Sequence, residues 1–219
     1  MTPSLPARPH PGFGTGTELW LFRHGEVHAD WHGRAYGGMD VPLSERGIAD
    51  TAERVRDFGA LPFRKVISSN LARARRLGEG LAEVRGLDLE VTAELAEIQR
   101  GEWAGKSIQK LYESEPDTVA GYFADPWSFA IPKGENDRDV FLRAWPAVER
   151  AVRAGAGGLV AVTSHYNVIR VLTAYLLGLE PRDSFRIRVD LSCAVALRDE
   201  RTGWRLLRSN VRTPDGARG

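Results

Sequence analysis

Short apolar runs alternate along the chain with longer segments whose apolar residues recur at helical spacing, and two of the runs end abruptly on a histidine. Residues 18–22 (ELWLF) give way to Arg23-His24-Gly25, the pattern of a buried strand whose carboxyl end opens into a loop. Ser44 stands at a helix-cap position, and Ile48, Ala52, Val55 and Phe58 fall on one face of a helix over 44–58. Residues 65–68 (KVIS) predict a second strand, and 71–84, rich in Ala, Arg and Leu, a second helix. A third strand over 89–91 leads into a loop over 94–105 and two short helical segments, 107–113 and 117–123. Pro126, Pro132 and Gly134 punctuate the stretch before a helix over 137–154, which glycines from 155 to 158 close. Residues 159–163 (LVAVT) read as the clearest buried strand. They end on Ser164-His165, and an apolar helix follows over 168–177. Residues 193–197 and 204–208 read as two strands around a turn at 199–203.

Strands alternating with helices imply an α/β fold, a three-layer α/β/α sandwich with a mostly parallel central sheet, in which ligands bind beyond the carboxyl ends of strands. His24 and His165 both fall there. The 219 residues suffice for one core, and a single domain is expected over 18–210, with a helical cap around 105–136. Residues 1–17, rich in Pro, Gly and Thr, read as a disordered lead-in without the apolar stretch of a secretory signal, and 211–219 as a flexible tail. No run approaches the roughly 20 apolar residues of a membrane span. With 30 Lys plus Arg against 29 Asp plus Glu, charge gives no argument for nucleic acid or an anionic membrane as partner, so any anion specificity must be local. The one cysteine, Cys193 in LSCAVAL, excludes an internal disulfide and reads as a small core residue, as expected of a cytoplasmic chain. A homodimer through an exposed edge strand is left open.

Arg23-His24-Gly25 combines a fork-shaped phosphate donor, a nucleophile that can be neutral near pH 7 and a glycine that lets backbone approach a ligand. Taken alone, the triplet is a weak signal, better explained as a surface Arg-His pair in a loop. However, LWLFRHGE, SSNLARAR, ELAEIQRGEWAG and VTSHYNVIRVL occur in the order and approximate separation found in the histidine phosphatase family, which includes the cofactor-dependent phosphoglycerate mutases. The chain resembles that family over about 18–177, which implies a phosphoglycerate mutase-like fold. The resemblance makes His24 the nucleophile that carries a phosphoryl group, with Arg23 and Arg73 clamping the phosphoryl oxygens. It makes His165 a hydrogen-bond donor to the transition state, and Glu97 the acid that protonates the leaving oxygen and then activates water. Glu94 and Glu102 compete for the last role, and Arg73, beside Arg75 and Arg76, could instead be solvated helix surface. GRAYGGMDVPLSERG resembles a family segment that touches substrate, pointing to Tyr36 and Gly37, with Gly25 beside them. PKGEN resembles a PxGES segment with Asn136 in place of serine. His10, His28 and His32 match nothing in the family and have no carboxylate at ligand spacing, so neither metal nor cofactor is expected.

Three positions depart from the family pattern. Val27 stands where threonine is common, Asp30 where the mutases carry a phosphate-binding asparagine, and Tyr166 where glycine usually follows the second histidine. Asp30 would oppose a second phosphate, and Tyr166 would make the pocket wall aromatic. The stretch 105–132 is compact and acidic, with Glu113, Glu115, Asp117 and Asp125, and lacks the basic insertion of the mutases. Hydrolysis of a small phosphorylated metabolite is therefore the expected activity, with phosphoglycerate mutase activity or silent binding of a phosphorylated ligand as alternatives. HGEV followed by YGGMDVPLSE looks somewhat like the α-ribazole phosphatases, with broad-specificity sugar-phosphate and nucleotide phosphatases as close alternatives. Trp103, Tyr122, Phe123, Trp127 and Phe129 could stack on a ring-bearing substrate or pack the cap.

Overall fold

The computed structural model describes residues 12–216. Six strands form one sheet: β1 (Glu18–Arg23), β2 (Phe63–Ser69), β3 (Leu89–Thr92), β4 (Leu159–Ser164), β5 (Ala194–Glu200) and β6 (Gly203–Val211). Six α-helices accompany them: α1 (Glu45–Gly59), α2 (Ala72–Arg85), α3 (Ile108–Ser114), α4 (Pro116–Ala124), α5 (Asp137–Ala154) and α6 (Tyr166–Leu176). The strand order is β3-β2-β4-β1-β5-β6. The first four strands run parallel, while β5 is antiparallel to β1 and β6 to β5.

The period of two along each strand splits the core between the two faces of the sheet. Leu19, Leu21, Val160, Val162, Val195 and Leu197 pack with residues of α5 and α6, including Val148, Val152, Ile169 and Leu172. Trp20, Phe22, Val66, Ala161, Ala194 and Ala196 face the other way, against Phe58 of α1 and Leu77 and Leu81 of α2. This is the expected three-layer α/β/α arrangement. The chain leaves β1 toward one face and β4 toward the other, so a crevice opens between their carboxyl ends. A third, smaller cluster of Trp103, Leu111, Val119, Tyr122 and Ile131 builds the helical cap over that crevice.

Three expectations need correction. The apolar positions of α1 do not all face inward: Ile48 and Ala52 are exposed, and Gly47, Thr51, Arg54 and Phe58 are buried instead. The helix is rotated because its first turn abuts the loop after β1, where a Cβ on Gly47 would lie 2.0 Å from the Glu26 carbonyl oxygen. The Ser44 cap is present, its Oγ accepting the Gly47 N–H at 3.0 Å. Next, residues 12–17 are not disordered. The buried Asp199 carboxylate accepts the N–H groups of Phe13, Gly14 and Thr15, and the Phe13 ring stacks on Trp145. Asp199, read as part of a turn, is thus a strand residue that anchors the chain ahead of β1. Lastly, the tail begins later than expected, since Val211 is buried and pairs with Ala194. The remainder of the lead-in, with His10, and the last three residues lie outside the described residues. Cys193 is buried, and among the described residues no helix is long and apolar enough to cross a membrane.

Candidate active site

β1 and β4 are paired in register from Glu18 with Leu159 to Arg23 with Ser164, so the residues that follow them, His24 and His165, emerge side by side. Their rings lie 5.2 Å apart, centroid to centroid, and both are fully buried. His24 Nδ1 lies 2.7 Å from the Gly25 carbonyl oxygen. A carbonyl can only accept, so Nδ1 carries the proton and Nε2 keeps its lone pair. Burial, then the charges of Arg73 and Arg23, hold this imidazole well below the ordinary histidine pKa, which keeps it neutral near pH 7. Gly25 must be glycine: a Cβ there would stand 2.6 Å from the Gly47 carbonyl oxygen.

The tautomer of His165 follows from Ser69 at the end of β2. Ser69 Oγ accepts the Leu71 N–H and lies 2.8 Å from His165 Nε2. The hydroxyl proton has no other acceptor among the described residues, so it goes to Nε2, and the ring's own proton sits on Nδ1. That Nδ1 is buried without a partner, as are the Nε atoms of Arg23 and Arg73. These three unmatched donors belong to the residues that surround His24, the arrangement an oxyanion would satisfy. Arg23 is otherwise held by the Val189 carbonyl (2.6 Å) and lies over the Tyr166 ring. Arg73 is no solvated surface residue. It is 1% exposed, donates to the carbonyls of Met39 (2.6 Å) and Gly37 (2.7 Å), and stacks on Tyr36.

Glu97 is buried, with Oε1 accepting the Ile98 N–H and Oε2 the Asn167 N–H at the start of α6. Its rivals lie apart, Glu94 paired with Arg150 and Glu102 with Lys133. The loop that carries Glu97 is clamped from α5. The Arg143 guanidinium donates to the carbonyls of Glu94, Ala96 and Glu97, and its fork grips Glu135.

A cavity of about 550 Å³ opens over this cluster, lined by Arg23, His24, Val27, Tyr36, Gly37, Glu97, Arg100, Tyr166 and Asn167 and walled by Trp31, Trp103, Tyr122 and Phe123. Gly37, at φ +41°, packs so tightly on the Ile98 carbonyl that a Cβ would not fit. Arg73 and His165 are buried and are not among the residues that line it. Of the proposed substrate contacts, Asp30 is not brought to the cavity. Its side chain is 81% exposed and pairs with His28 at 3.3 Å, outside the crevice. Trp127 packs in the main core rather than against the cavity. Among the described residues no group of three His, Cys, Asp or Glu side chains is placed to hold a metal ion.

A family model for the histidine phosphatase superfamily (branch 1) matches residues 19–212. The chain belongs to this superfamily. It is 28% identical over 180 residues to an adenosylcobalamin/α-ribazole phosphatase of Salmonella typhimurium, covering 82% of this chain and 89% of that protein. The fold is similar to a mycobacterial glucosyl-3-phosphoglycerate phosphatase, with a TM-score of 0.78 at 26% identity over 86% of this chain and 96% of that one. It is likewise similar to the α-ribazole phosphatase of Shigella flexneri, with a TM-score of 0.77 at 27% identity over 90% and 97% of the two chains. Within this histidine phosphatase, sequence reasoning passed over four residues. Ser69, Arg100 and Asn167 lie inside the matched motifs but carry no signal of their own. Arg143 acts across 46 to 49 residues of chain and left none.

Proposed function

We propose that the chain hydrolyses phosphomonoesters of small metabolites through a phosphohistidine at His24. The observation that carries this reading is the neutral His24 ring, its Nδ1–H fixed on the Gly25 carbonyl, buried beside the unmatched donors of Arg23, Arg73 and His165. His24 Nε2 attacks phosphorus as the bond to the leaving oxygen breaks, and Glu97 delivers the proton that oxygen needs. The charge left on the imidazole is met by the Gly25 carbonyl. In the second half Glu97 takes a proton from water, the water oxygen attacks phosphorus, and the phosphorus–nitrogen bond breaks to return neutral His24. Arg23 and His165 Nδ1–H meet the equatorial oxygens. Arg73 adds its charge from behind while holding the turn that carries Tyr36 and Gly37.

The aromatic walls of the cavity favour a phosphate ester whose alcohol carries a ring or apolar group, and relatives named as α-ribazole phosphatases support that direction. Mutase activity is disfavoured by the cap segment, which is compact and acidic (Glu113, Glu115, Asp117, Asp125) where the mutases carry a basic insertion. The test is phosphate release from a panel of p-nitrophenyl phosphate, 3-phosphoglycerate, nucleotides and α-ribazole phosphate, wild type against His24→Ala. Release that is lost in His24→Ala is expected. Isomerisation of 3-phosphoglycerate without release would turn the reading to a mutase.

A further inference from the structure

We propose that Arg100 reads a carboxylate on the substrate, so that the preferred phosphomonoester carries a second, singly charged anionic group on its alcohol portion. This rests on the phosphatase reading and names the substrate class of that same cavity.

Seven lining residues of the cavity are Arg, His or Glu, and the side chains of six of them make at least one hydrogen bond within the protein. His24 donates to Gly25 and Arg23 to Val189. Arg34 donates to the Asp30 and Gly105 carbonyls, and the His32 ring bonds the Val27 carbonyl. Glu26 accepts from Ser44 Oγ, and Glu97 from two backbone amides. Arg100 is the exception: among the described residues its guanidinium makes no hydrogen bond and no close ion pair, and the Asp137 carboxylate, itself paired with Arg170, feels its charge only at longer range. It is nevertheless a placed group. Its stem packs on the Gly37 backbone, where a Cβ would come within 2.6 Å of Arg100 Cγ, and its carbonyl accepts the Trp103 N–H at 2.8 Å. The guanidinium lies over the Tyr122 ring, 5.5 Å from its centroid. Stacking covers a face of the planar fork and leaves its N–H edges free for a bidentate acceptor in plane.

Arg23 and Arg73 already attend the phosphate position, so Arg100, three residues beyond Glu97, is surplus to that group. A carboxylate matches its fork and its single charge. A second phosphate would bring two negative charges into a cavity that also holds Glu26 and Glu97.

The experiment compares matched ligands that differ in the carboxylate: 3-phosphoglycerate with glycerol 3-phosphate, and 6-phosphogluconate with sorbitol 6-phosphate. Binding is measured by calorimetry to the His24→Ala chain, with and without Arg100→Met and Arg100→Lys. Hydrolysis by chains that retain His24 is measured in parallel. In at least one pair the carboxylate member should bind about 10-fold tighter or more, the preference falling to near one in R100M and to an intermediate value in R100K. The ratio of kcat/KM within that pair should fall in step. Absence of a preference in both pairs, or a preference untouched by R100M, overturns the assignment of Arg100. A preference that responds to Arg100 while no ligand is hydrolysed would uphold the assignment and sink the phosphatase reading instead.

Discussion

At the scale of single residues, the site depends on two imidazoles kept neutral and facing each other. Burial is the first cause of the lowered pKa of both His24 and His165, and the charge of Arg73 the second. The sign of the resulting pH dependence follows. Below about pH 6.5, the ordinary histidine value, the unfolded chain takes up protons at these two positions that the folded chain refuses. Their contribution to stability is therefore complete above that pH and is lost as the pH falls below it, at up to about 1.4 kcal/mol per pH unit for each ring. Urea denaturation of wild type and His24→Ala at pH 7 and pH 5 should show a shallower acid loss in the variant. Equal losses would mean that His24 is not held neutral. The motifs made the identity of these residues legible in the sequence, but not their protonation, which comes from burial and from Arg73 and Ser69, brought in from other elements.

At the scale of elements, strands and helices were legible because their periodicities differ, and the strand-then-histidine pattern marked both arms of the site. Packing between elements was not. Ile48 has the spacing of a core residue in α1 yet lies 40% exposed, because the Gly25 and Gly47 backbones must meet and that contact sets the rotation of the helix. Residues 12–17 have the composition of a disordered lead-in yet are ordered by one buried carboxylate, Asp199, 184 to 186 residues away. The bond from Arg143 in α5 to the loop of Glu97 belongs to the same class of long-range contact. Arg143→Met should release that loop and lower kcat by about 100-fold, the scale of a misplacement near 1 Å, while KM changes less. Steady-state kinetics on p-nitrophenyl phosphate checks this, with circular dichroism to confirm folding. An unchanged kcat would show that Glu97 keeps its place without the clamp.

At the scale of the molecule, the fold brings four separate stretches of chain to one crevice. The end of β1 supplies Arg23 and the residue after it His24, the start of α2 Arg73, the loop after β3 Glu97, and the residue after β4 His165. The helical cap closes over them with an aromatic wall, and α5 braces the loop from the far side. The central claim is that this assembly transfers a phosphoryl group to His24 before water receives it. The most direct test is to mix the chain with p-nitrophenyl phosphate, quench in alkali, where phosphohistidine survives, and locate the adduct by peptide mass spectrometry. One phosphoryl group on His24, increased in Glu97→Gln and absent in His24→Ala, is the predicted result. Steady turnover with no phosphoryl group on His24 at any time point, in wild type or in Glu97→Gln, would contradict it.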